Sequence, residues 1–369
     1  MLCLNQKILN GHKVGIVFGT FAPLHQGHLD LIYRAKKECD AGCIVVVCGF
    51  DGDKGEPLFN HRERYTAVAK FFQDDNLIHV CGINDTDIGA PPYPDGWKQW
   101  MDTFNKHYQL YAPTIKERVW YVGEECYKND LETMWNETAI LVDRIATNPI
   151  SATKIRNNPI KYWNKITPPF RKYFSYNVLV CGTASEGKTT LVKDLSKYFN
   201  TVHSVEYARI YMAQKGLTDK DLNGEDFEQF LLGQYSLYNS NTASCMNNGV
   251  FFADTDSMVT KMYAQYYAQD PNLNLTNEEF EKISKLADLI TNESRWNKIY
   301  LVCPKGIFVD DGVRYMGHSS MEDRNNLYNI LCQNIKDAGL WDKVTILDGG
   351  YWKNFEKIVN DTRKVFENE

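Results

Sequence analysis

A glycine-rich stretch in the middle of the chain has the residue types and spacing of a phosphate-binding loop, or P-loop. It reads GTASEGKT from Gly182 to Thr189 and fits the pattern G-x-x-x-x-G-K-[ST]. In this pattern, backbone N–H groups and the positive end of the following helix hold phosphate oxygens, while Lys188 reaches the β- and γ-phosphates and Thr189 binds Mg²⁺. We therefore predict a nucleoside triphosphate site at Gly182, Ser185, Glu186, Gly187, Lys188, Thr189 and Thr190.

Two histidines near the N-terminus form a second candidate site. His25 and His28 lie in the run GTFAPLHQGH, which begins at Gly19 directly after an apolar strand. Residues three apart at the start of a helix share one face, and anions settle at that end of a helix. A metal site is disfavoured because no third Cys, His or carboxylate follows at helical or hairpin spacing. From the spacing alone, two histidines that merely cap a helix remain the alternative.

Acidic side chains follow the strands predicted beside the P-loop. The run Val202 to Val205 ends in Glu206, and the strand that begins at Val250 ends in Asp254-Thr255-Asp256. A hydrophobic strand ending in acid is typical of a Walker B site, so we expect Asp254 to hold Mg²⁺ together with Thr189. Asp256 suits a helix N-cap better. The sequence leaves open whether Glu206 or one of the aspartates accepts the proton of the substrate hydroxyl.

Short apolar runs separated by helical patterns predict the elements that position these residues. The pattern indicates an α/β chain of two doubly wound parallel-sheet domains, with the boundary at the tandem prolines 168 and 169. We predict domains at 1–170 and 171–369. The predicted strands are Lys13 to Phe18, Cys43 to Phe50, Ile78 to Gly82, Arg118 to Val122, Ile140 to Arg144, Val178 to Cys181, Val202 to Val205, Val250 to Ala253, Lys298 to Cys303 and Val344 to Leu347.

Length and composition restrict the class of protein. A chain of 369 residues is long enough for about two or three domains. The net charge of −6, from 41 basic and 47 acidic residues, argues against nonspecific nucleic-acid binding. The ten cysteines include no C-x-x-C pair, which predicts reduced thiols. No apolar run is long enough to span a membrane, so we expect a soluble, cytoplasmic protein with no membrane partner.

The first half resembles the nucleotidyltransferase superfamily of adenylyl- and cytidylyltransferases. The run around His25 and His28 matches its (H/T)-x-G-H signature, and ISATKIR from Ile150 to Arg156 matches its second signature. The resemblance implies a Rossmann-like fold in which both histidines contact the nucleotide phosphates and stabilise the charge that develops during transfer. It also implies that the β- and γ-phosphates are held by Ser151, Thr153 and Arg156. Positioning and positive charge are the main requirements of such a reaction.

Other residues of the first half are expected to line the same site because they follow predicted strands. A loop rich in proline and aromatic residues could stack its rings on a planar ligand or only anchor itself on its own domain. Two arginines on a predicted helix, Arg62 and Arg64, could bind phosphate or form a solvated face. The predicted site residues are Gly19, Thr20, Phe21, Asp51, Arg62, Tyr93, Trp97 and Glu124.

Over nearly its whole length the chain resembles the NadR-type family, which joins nicotinamide mononucleotide (NMN) adenylyltransferase to ribosylnicotinamide kinase. The shared features are the run from Pro92 to Trp97, the run from Ile150 to Trp163, Glu206-Tyr207-x-Arg209, Asp254-Thr255-Asp256 and Asp311-Gly312-x-Arg314. The resemblance implies that nicotinamide riboside and ATP give NMN, and that NMN and ATP give NAD and pyrophosphate, with Mg²⁺ as cofactor. The riboside would contact Glu206, Tyr207, Arg209, Gln234, Asp254 and Asp256, and Arg314 resembles the lid arginine of small-molecule kinases.

Some members of that family carry an N-terminal helix-turn-helix that binds DNA. Only about a dozen residues precede the first predicted strand here, so we expect that module, and a nucleic-acid partner, to be absent. Two alternatives remain: a coenzyme A synthase that pairs phosphopantetheine adenylyltransferase with dephospho-coenzyme A kinase, and a regulator that senses NAD or ATP without turnover. The loop from Pro92 to Trp97 and the run from Glu206 to Arg209 favour the nicotinamide reading. A homo-oligomer is left open.

Overall fold

The computed structural model describes residues 7–52, 60–143, 149–305, 308–309, 316 and 319–367. Backbone contacts divide the chain into two compact units, Met1–Phe174 and Ser175–Glu369. The tandem prolines do not end the first unit. They open a short helix, because proline fits the first turn of a helix, and Phe170 of that helix is buried in the core of the first unit.

A parallel sheet of five strands forms the centre of the first unit in the described part of the chain. The strands are β1 (Lys13–Gly19), β2 (Cys43–Val47), β3 (Ile78–Gly82), β4 (Glu117–Val122) and β5 (Thr138–Leu141), in the order β3-β2-β1-β4-β5. Every residue of β2 is buried, as expected for a strand with helices on both faces. The strand order reverses between β1 and β4, and ligands of such sheets bind at the carboxyl ends of the strands at that point.

Helices cover both faces of this sheet. They are α1 (Gln26–Glu38), α2 (His61–Phe71), α3 (Trp97–Tyr111), α4 (Glu125–Trp135), α5 (Ala152–Asn157) and α6 (Pro168–Arg171). Successive side chains of β2 point to opposite faces: Val45 packs with α1 and α2, whereas Ile44 packs with α3. The sheet therefore separates two apolar layers, and the β1–α1 loop emerges at its carboxyl edge.

The second unit repeats this plan. Its described strands are β6 (Tyr176–Gly182), β7 (His203–Ser204), β8 (Val250–Ala253), β9 (Lys298–Val302) and β10 (Val344–Leu347), in the parallel order β10-β9-β6-β8-β7. The helices are α7 (Lys188–Tyr198), α8 (Tyr207–Lys215), α9 (Gly224–Thr242), α10 (Ser257–Gln269), α11 (Asn277–Glu293), α12 (Met321–Asp337) and α13 (Tyr351–Glu367).

In the described part of the second unit, three apolar clusters hold the sheet and the helices together. Helices α7 and α13 pack on one face of the sheet, and α10 and α12 pack on the other. A third cluster joins α8, α9, α10 and α11 around Phe227, Phe230 and Leu231. This helical layer supplies one wall of the site described below.

The predicted α/β class with two parallel sheets is confirmed. The fifth strand begins earlier than predicted, at Thr138, because Asn136 adopts a left-handed conformation (φ +49°) that ends α4 and turns the chain directly into the strand. Arg144, its predicted last residue, lies outside the described residues. Among the described residues, no helix combines the length and the apolar character that crossing a bilayer requires.

Candidate active sites

The loop between β1 and α1 brings His25 and His28 together in the first unit. Their ring centroids lie 3.8 Å apart, with the rings tilted by 30°. His25 is the N-cap of α1, and its Nδ1 accepts the N–H of Gly27 at 3.1 Å. Because Nδ1 is an acceptor, the neutral ring carries its proton on Nε2. Nδ1 of His25 therefore caps the helix, and Nε2 carries a proton that it can donate to an anion. Capping and anion binding are thus compatible in this residue.

Phe21 and Gly27 pack around this pair of histidines. Phe21 is buried at φ +46°, and its ring meets His28 edge-on at 5.0 Å between centroids. A Cβ at Gly27 would lie 3.2 Å from Cε1 of His25 and 3.4 Å from Cγ2 of Ile150. Since Ile150 opens the second nucleotidyltransferase signature, the two signatures meet at Gly27.

The second signature forms the short helix α5 beside the histidine loop. Ser151 is its N-cap and accepts the N–H of Lys154 at 3.2 Å. Arg156 donates to the carbonyl of Ala22 at 2.7 Å and to Oγ1 of Thr153 at 3.2 Å. Arg156 therefore ties the second signature to the loop that carries His25 and His28, and it adds a positive charge there.

The two arginines of α2 have different surroundings. Arg62 is exposed. Arg64 is 1% exposed and donates to the carbonyls of Thr20 at 2.8 Å, Cys48 at 2.6 Å and Phe50 at 3.1 Å. Arg64 thus joins the loops that follow β1 and β2. The sequence carried a signal for this role, since helical spacing puts Arg64 on the same face as the buried residues 67 and 68.

Asp51 and Glu124 follow β2 and β4 at the carboxyl edge of the sheet. Asp51 accepts the N–H of His61 at 2.6 Å and the Nδ2 of Asn84 at 3.1 Å, and the first of these bonds is the main reason that the pKa of its carboxyl group is lowered. Glu124 immediately precedes α4. Both lie where the fold predicts a ligand, and Asp51 also fixes the start of α2.

Of the two residues predicted to stack on a ligand, Trp97 is buried in the first unit and Tyr93 is exposed at its surface. Trp97 begins α3, is 6% exposed and packs with Phe18 at 5.7 Å and Trp100 at 5.2 Å between ring centroids. Tyr93 is 43% exposed, and its hydroxyl donates to Asp130 at 2.8 Å. The alternative of a loop anchor therefore describes Trp97, while Tyr93 keeps an accessible ring.

In the second unit, the P-loop connects β6 to α7 with the backbone that its glycines require. Gly182 lies at φ +144°, and a Cβ there would come within 2.6 Å of the carbonyl oxygen of Val302. Ser185 and Gly187 adopt left-handed conformations, at φ +64° and +74°. These turns curl the loop onto the N-terminus of α7, where Lys188 donates from Nζ to the carbonyl of Thr183 at 2.7 Å.

Thr189 and Asp254 meet beside the P-loop because β8 is the neighbour of β6. The Thr189 hydroxyl donates to Oδ2 of Asp254. Asp254 is 3% exposed, and burial raises the pKa of its carboxyl group although the charge of Lys188 opposes this effect. A hydroxyl and a carboxylate oxygen in contact, next to a phosphate loop, form a donor set that Mg²⁺ accepts together with phosphate oxygens. The residues present therefore fit this ion.

Gln234 of α9 holds the turn that carries Glu206. Its Oε1 accepts the N–H of Tyr207 at 2.8 Å, and its Nε2 donates to Oγ of Ser204 at 2.9 Å and to the carbonyl of Val205 at 3.2 Å. These bonds fix the backbone on both sides of Glu206. Gln234 is 6% exposed, so its main visible role is to position that carboxylate.

Two predicted riboside contacts have structural positions instead. The ring of Tyr207 packs on Gly233, where a Cβ would lie only 2.1 Å from it. Asp256 caps α10, accepting the N–H of Met258 at 3.1 Å and the Nε1–H of Trp296 at 3.1 Å. Neither residue lines the cavity below, and burial raises the pKa of Asp256 to about 7. The N-cap interpretation of Asp256 is confirmed. We withdraw the predicted riboside contacts of Asp256 and Tyr207.

A cavity of about 440 Å³ lies at the mouth of the P-loop. Polar residues of the loop line one side together with Thr189, Asp254 and the pair formed by Glu206 and Arg209, whose Oε2 and Nε are 2.7 Å apart. The opposite wall is apolar and aromatic, with one carboxylate, and was not predicted from the sequence. It consists of Met212, Asp219, Leu222, Phe227, Phe230, Val259, Tyr263 and Tyr267. Helical spacing in residues 227–231 was the available signal.

The remaining P-loop side chains do not face the phosphates alone. Oγ of Ser185 accepts the N–H of Val309 at 3.0 Å, and the carboxylate of Glu186 pairs with Arg324. Thr190 lies in the first turn of α7 and lines the cavity. Arg314, the predicted lid arginine, lies outside the described residues.

Each half of the chain matches a family model. Residues 16–158 match the model described as cytidylyltransferase-like, and residues 177–353 match the model described as an AAA domain. The P-loop, the Thr189–Asp254 contact and the histidine pair all lie within these two ranges.

Two curated proteins that match nearly the whole chain carry the same name. The "Trifunctional NAD biosynthesis/regulator protein NadR" of Escherichia coli is 28% identical over 95% of this chain and 83% of its own length. The Salmonella typhimurium protein of the same name is 29% identical over 96% and 83%. Two solved structures, of NadR in complex with NR and of NadR in complex with NAD and AMP-PNP, are 30% and 31% identical. Each covers 97% of both chains, and the TM-scores are 0.83 and 0.81.

A shorter match concerns the first half alone. Phosphopantetheine adenylyltransferase of Wigglesworthia glossinidia brevipalpis is 40% identical over 74 residues, which are 20% of this chain and 42% of that protein.

Proposed function

This chain belongs to the NadR family, and on that premise we propose that its two units perform successive steps of NAD synthesis. The unit Ser175–Glu369 phosphorylates nicotinamide riboside with ATP. The unit Met1–Phe174 then joins the resulting NMN to the adenylyl group of a second ATP and releases pyrophosphate.

The observation that carries the kinase assignment is the convergence of five functional side chains on one cavity. Lys188 from the P-loop, the Thr189–Asp254 contact and the Glu206–Arg209 pair surround a space that is closed on the far side by aromatic rings. The triphosphate would lie at the P-loop end and the riboside towards Phe227 and Phe230. Aromatic faces and nearby carboxylates favour a positively charged planar ring, which is what the pyridinium of nicotinamide riboside provides.

The acidic residues have separate tasks in this proposal. One oxygen of Asp254 is already engaged by Thr189, so this pair is suited to Mg²⁺, which would neutralise charge on the β- and γ-phosphates when bound. Glu206 follows β7, the strand beside β8, and Gln234 holds the backbone next to it. We assign to Glu206 the proton of the attacking ribose hydroxyl, and to Lys188 the orientation of the transferred phosphoryl group.

The adenylyl transfer is supported by the histidine loop. His25 and His28 present two adjacent imidazoles at the start of α1, with the donor nitrogen of His25 fixed by its cap. Arg156 adds a permanent positive charge to the same loop. In-line attack of the NMN phosphate on the α-phosphate of ATP needs this arrangement more than it needs an acid or a base. Ser151, Thr153 and Tyr93 complete the proposed ATP and NMN contacts.

A cytoplasmic location is part of the proposal. It is supported by the thiols of Cys43 and Cys181, which lie fully buried within strands, and burial raises their pKa well above the ordinary value. The proposed substrates and product, nicotinamide riboside, NMN, ATP and NAD, are all small molecules.

Product identification tests the function directly. The purified protein is incubated with Mg²⁺ and ATP plus either nicotinamide riboside or phosphopantetheine, and products are identified by mass spectrometry. We expect NMN and then NAD from the riboside, and no adenylylated product from phosphopantetheine. Absence of both NMN and NAD would refute the proposal, and a dephospho-coenzyme A product would favour the coenzyme A alternative.

A further inference from the structure

The P-loop carries a carboxylate whose side chain is turned away from solvent. Glu186 immediately precedes Gly187 and Lys188, yet its side chain is 4% exposed. It pairs with Arg324 in the first turn of α12, whose side chain is 2% exposed. The same carboxylate accepts the N–H of Lys305, at 3.1 Å to Oε1 and 3.2 Å to Oε2. Glu186 therefore links the P-loop to two later parts of the second unit.

The burial of this pair separates it from ion pairs at the surface. In the pair of Lys261 and Asp288, the Asp288 side chain is 58% exposed, so water screens the interaction and it contributes little. Breaking a buried pair by removing one partner is different, because the remaining charge is left without compensation. Loss of Arg324 would leave such a charge on Glu186.

That charge would lie where a triphosphate binds. Glu186 is two residues before Lys188, and it lines the same cavity as the P-loop. An uncompensated carboxylate there would repel the phosphates and counteract the lysine. Arg324 itself is not among the described residues that line the cavity, and its ion pair with Glu186 connects it to the P-loop.

The pair also helps to hold the shape of the loop. Ser185 and Gly187, on either side of Glu186, both have positive φ, at +64° and +74°. The side chain of Ser185 accepts the N–H of Val309, as that of Glu186 accepts the N–H of Lys305. The side chains of Ser185 and Glu186 thus both accept hydrogen bonds from the backbone of the segment that follows β9.

We propose that Arg324 is a positioning residue for the kinase reaction, which cancels the charge of Glu186 and thereby keeps the P-loop able to receive the triphosphate. This proposal rests on the kinase activity proposed above. Its specific consequence is an asymmetry: the two single substitutions that break the pair have opposite effects on ATP affinity. Arg324→Met leaves a negative charge beside the phosphates, whereas Glu186→Gln leaves a positive one and keeps an acceptor for Lys305.

The test compares four variants by KM for ATP and kcat in riboside phosphorylation. We expect Arg324→Met to raise KM for ATP at least tenfold, about 1.4 kcal/mol, with a smaller change in kcat. Glu186→Gln should lower KM for ATP, because it removes a negative charge beside the phosphates, and the double variant should recover most of the loss. Lys261→Met, which breaks the surface pair in the same unit, is the matched control and should match the wild type.

Hydrogen exchange separates this proposal from the kinase assignment. Protection of the peptide that contains residues 182–189 is measured against Mg²⁺-ATP concentration, which needs no riboside turnover. Arg324→Met should shift the midpoint to higher ATP, and Glu186→Gln should shift it to lower ATP. Equal losses of affinity in both variants, or no rescue in the double variant, would overturn the proposal. If wild-type protein failed to phosphorylate the riboside while the midpoints still differed as expected, only the proposed substrate would be refuted.

Discussion

Replacement of Gln234 by methionine should impair the kinase reaction although the side chain size hardly changes. Gln234→Met removes three hydrogen bonds, to the N–H of Tyr207, to Oγ of Ser204 and to the carbonyl of Val205. At about 1 kcal/mol for each bond, the second unit should lose about 3 kcal/mol of unfolding free energy. Because these bonds fix the backbone on both sides of Glu206, kcat/KM for the riboside should fall by about one to two orders of magnitude.

Riboside phosphorylation and urea unfolding measure the two effects, and adenylylation of added NMN is the internal control. Gln333→Met is the matched variant, since Gln333 is exposed on α12 and its side chain donates to the nearby Asp337 at 2.7 Å. It should change neither quantity. If Gln234→Met kept wild-type kcat/KM for the riboside while the control behaved as expected, Glu206 would not depend on this network, and the positioning role assigned to Gln234 would be refuted.

Two further changes test the two units separately. Burial, and to a smaller extent the nearby His107, lowers the pKa of His79 from 6.5 to about 4. As pH falls, the unfolded chain therefore takes up a proton at His79 at a higher pH than the folded chain does, and this favours unfolding. At about 1.4 kcal/mol per pH unit, the first unit should lose about 3 kcal/mol in urea unfolding as pH falls from 6.5 to 4. His79→Phe should remove this slope and His12→Gln, at an exposed site, should not; an unchanged slope in His79→Phe would contradict the assignment. Gly182→Ala places a Cβ against the carbonyl oxygen of Val302 at a residue with positive φ. Riboside phosphorylation should therefore fall at least tenfold while NMN adenylylation stays intact. If both activities stayed at the wild-type level, the P-loop geometry would be contradicted.

Patterns local in sequence predicted the parts of the fold that depend on short-range order. The run CIVVV begins β2 at the predicted residue, because a strand buried on both faces must be apolar throughout. The run Val344–Leu347 matches β10 at both ends. The P-loop was predictable for a similar reason, since its glycine positions require backbone conformations that other residues avoid. Such features can be recognised from the types of consecutive residues.

Contacts between residues that are distant in the sequence could not be predicted in this way. Glu186 reads as one more P-loop residue until Arg324, far along the chain, is found against it. Tyr207 and Gln234 both read as riboside contacts, but the ring of Tyr207 packs on Gly233, whereas Gln234 lines the cavity and also holds the turn at Glu206. A charged or aromatic residue near a motif can serve the backbone as well as the ligand, and only the packing distinguishes the two.

The central claim is that two separate sites on one chain act in succession, and a mixing experiment tests it. Lys188→Ala should abolish riboside phosphorylation but keep adenylylation of NMN, and His28→Ala should do the reverse. Neither variant alone should convert the riboside to NAD, whereas an equal mixture should, because NMN released by one variant reaches the intact site of the other. If either substitution removed both activities in a folded protein, or if the mixture made NMN but no NAD, the account would be contradicted.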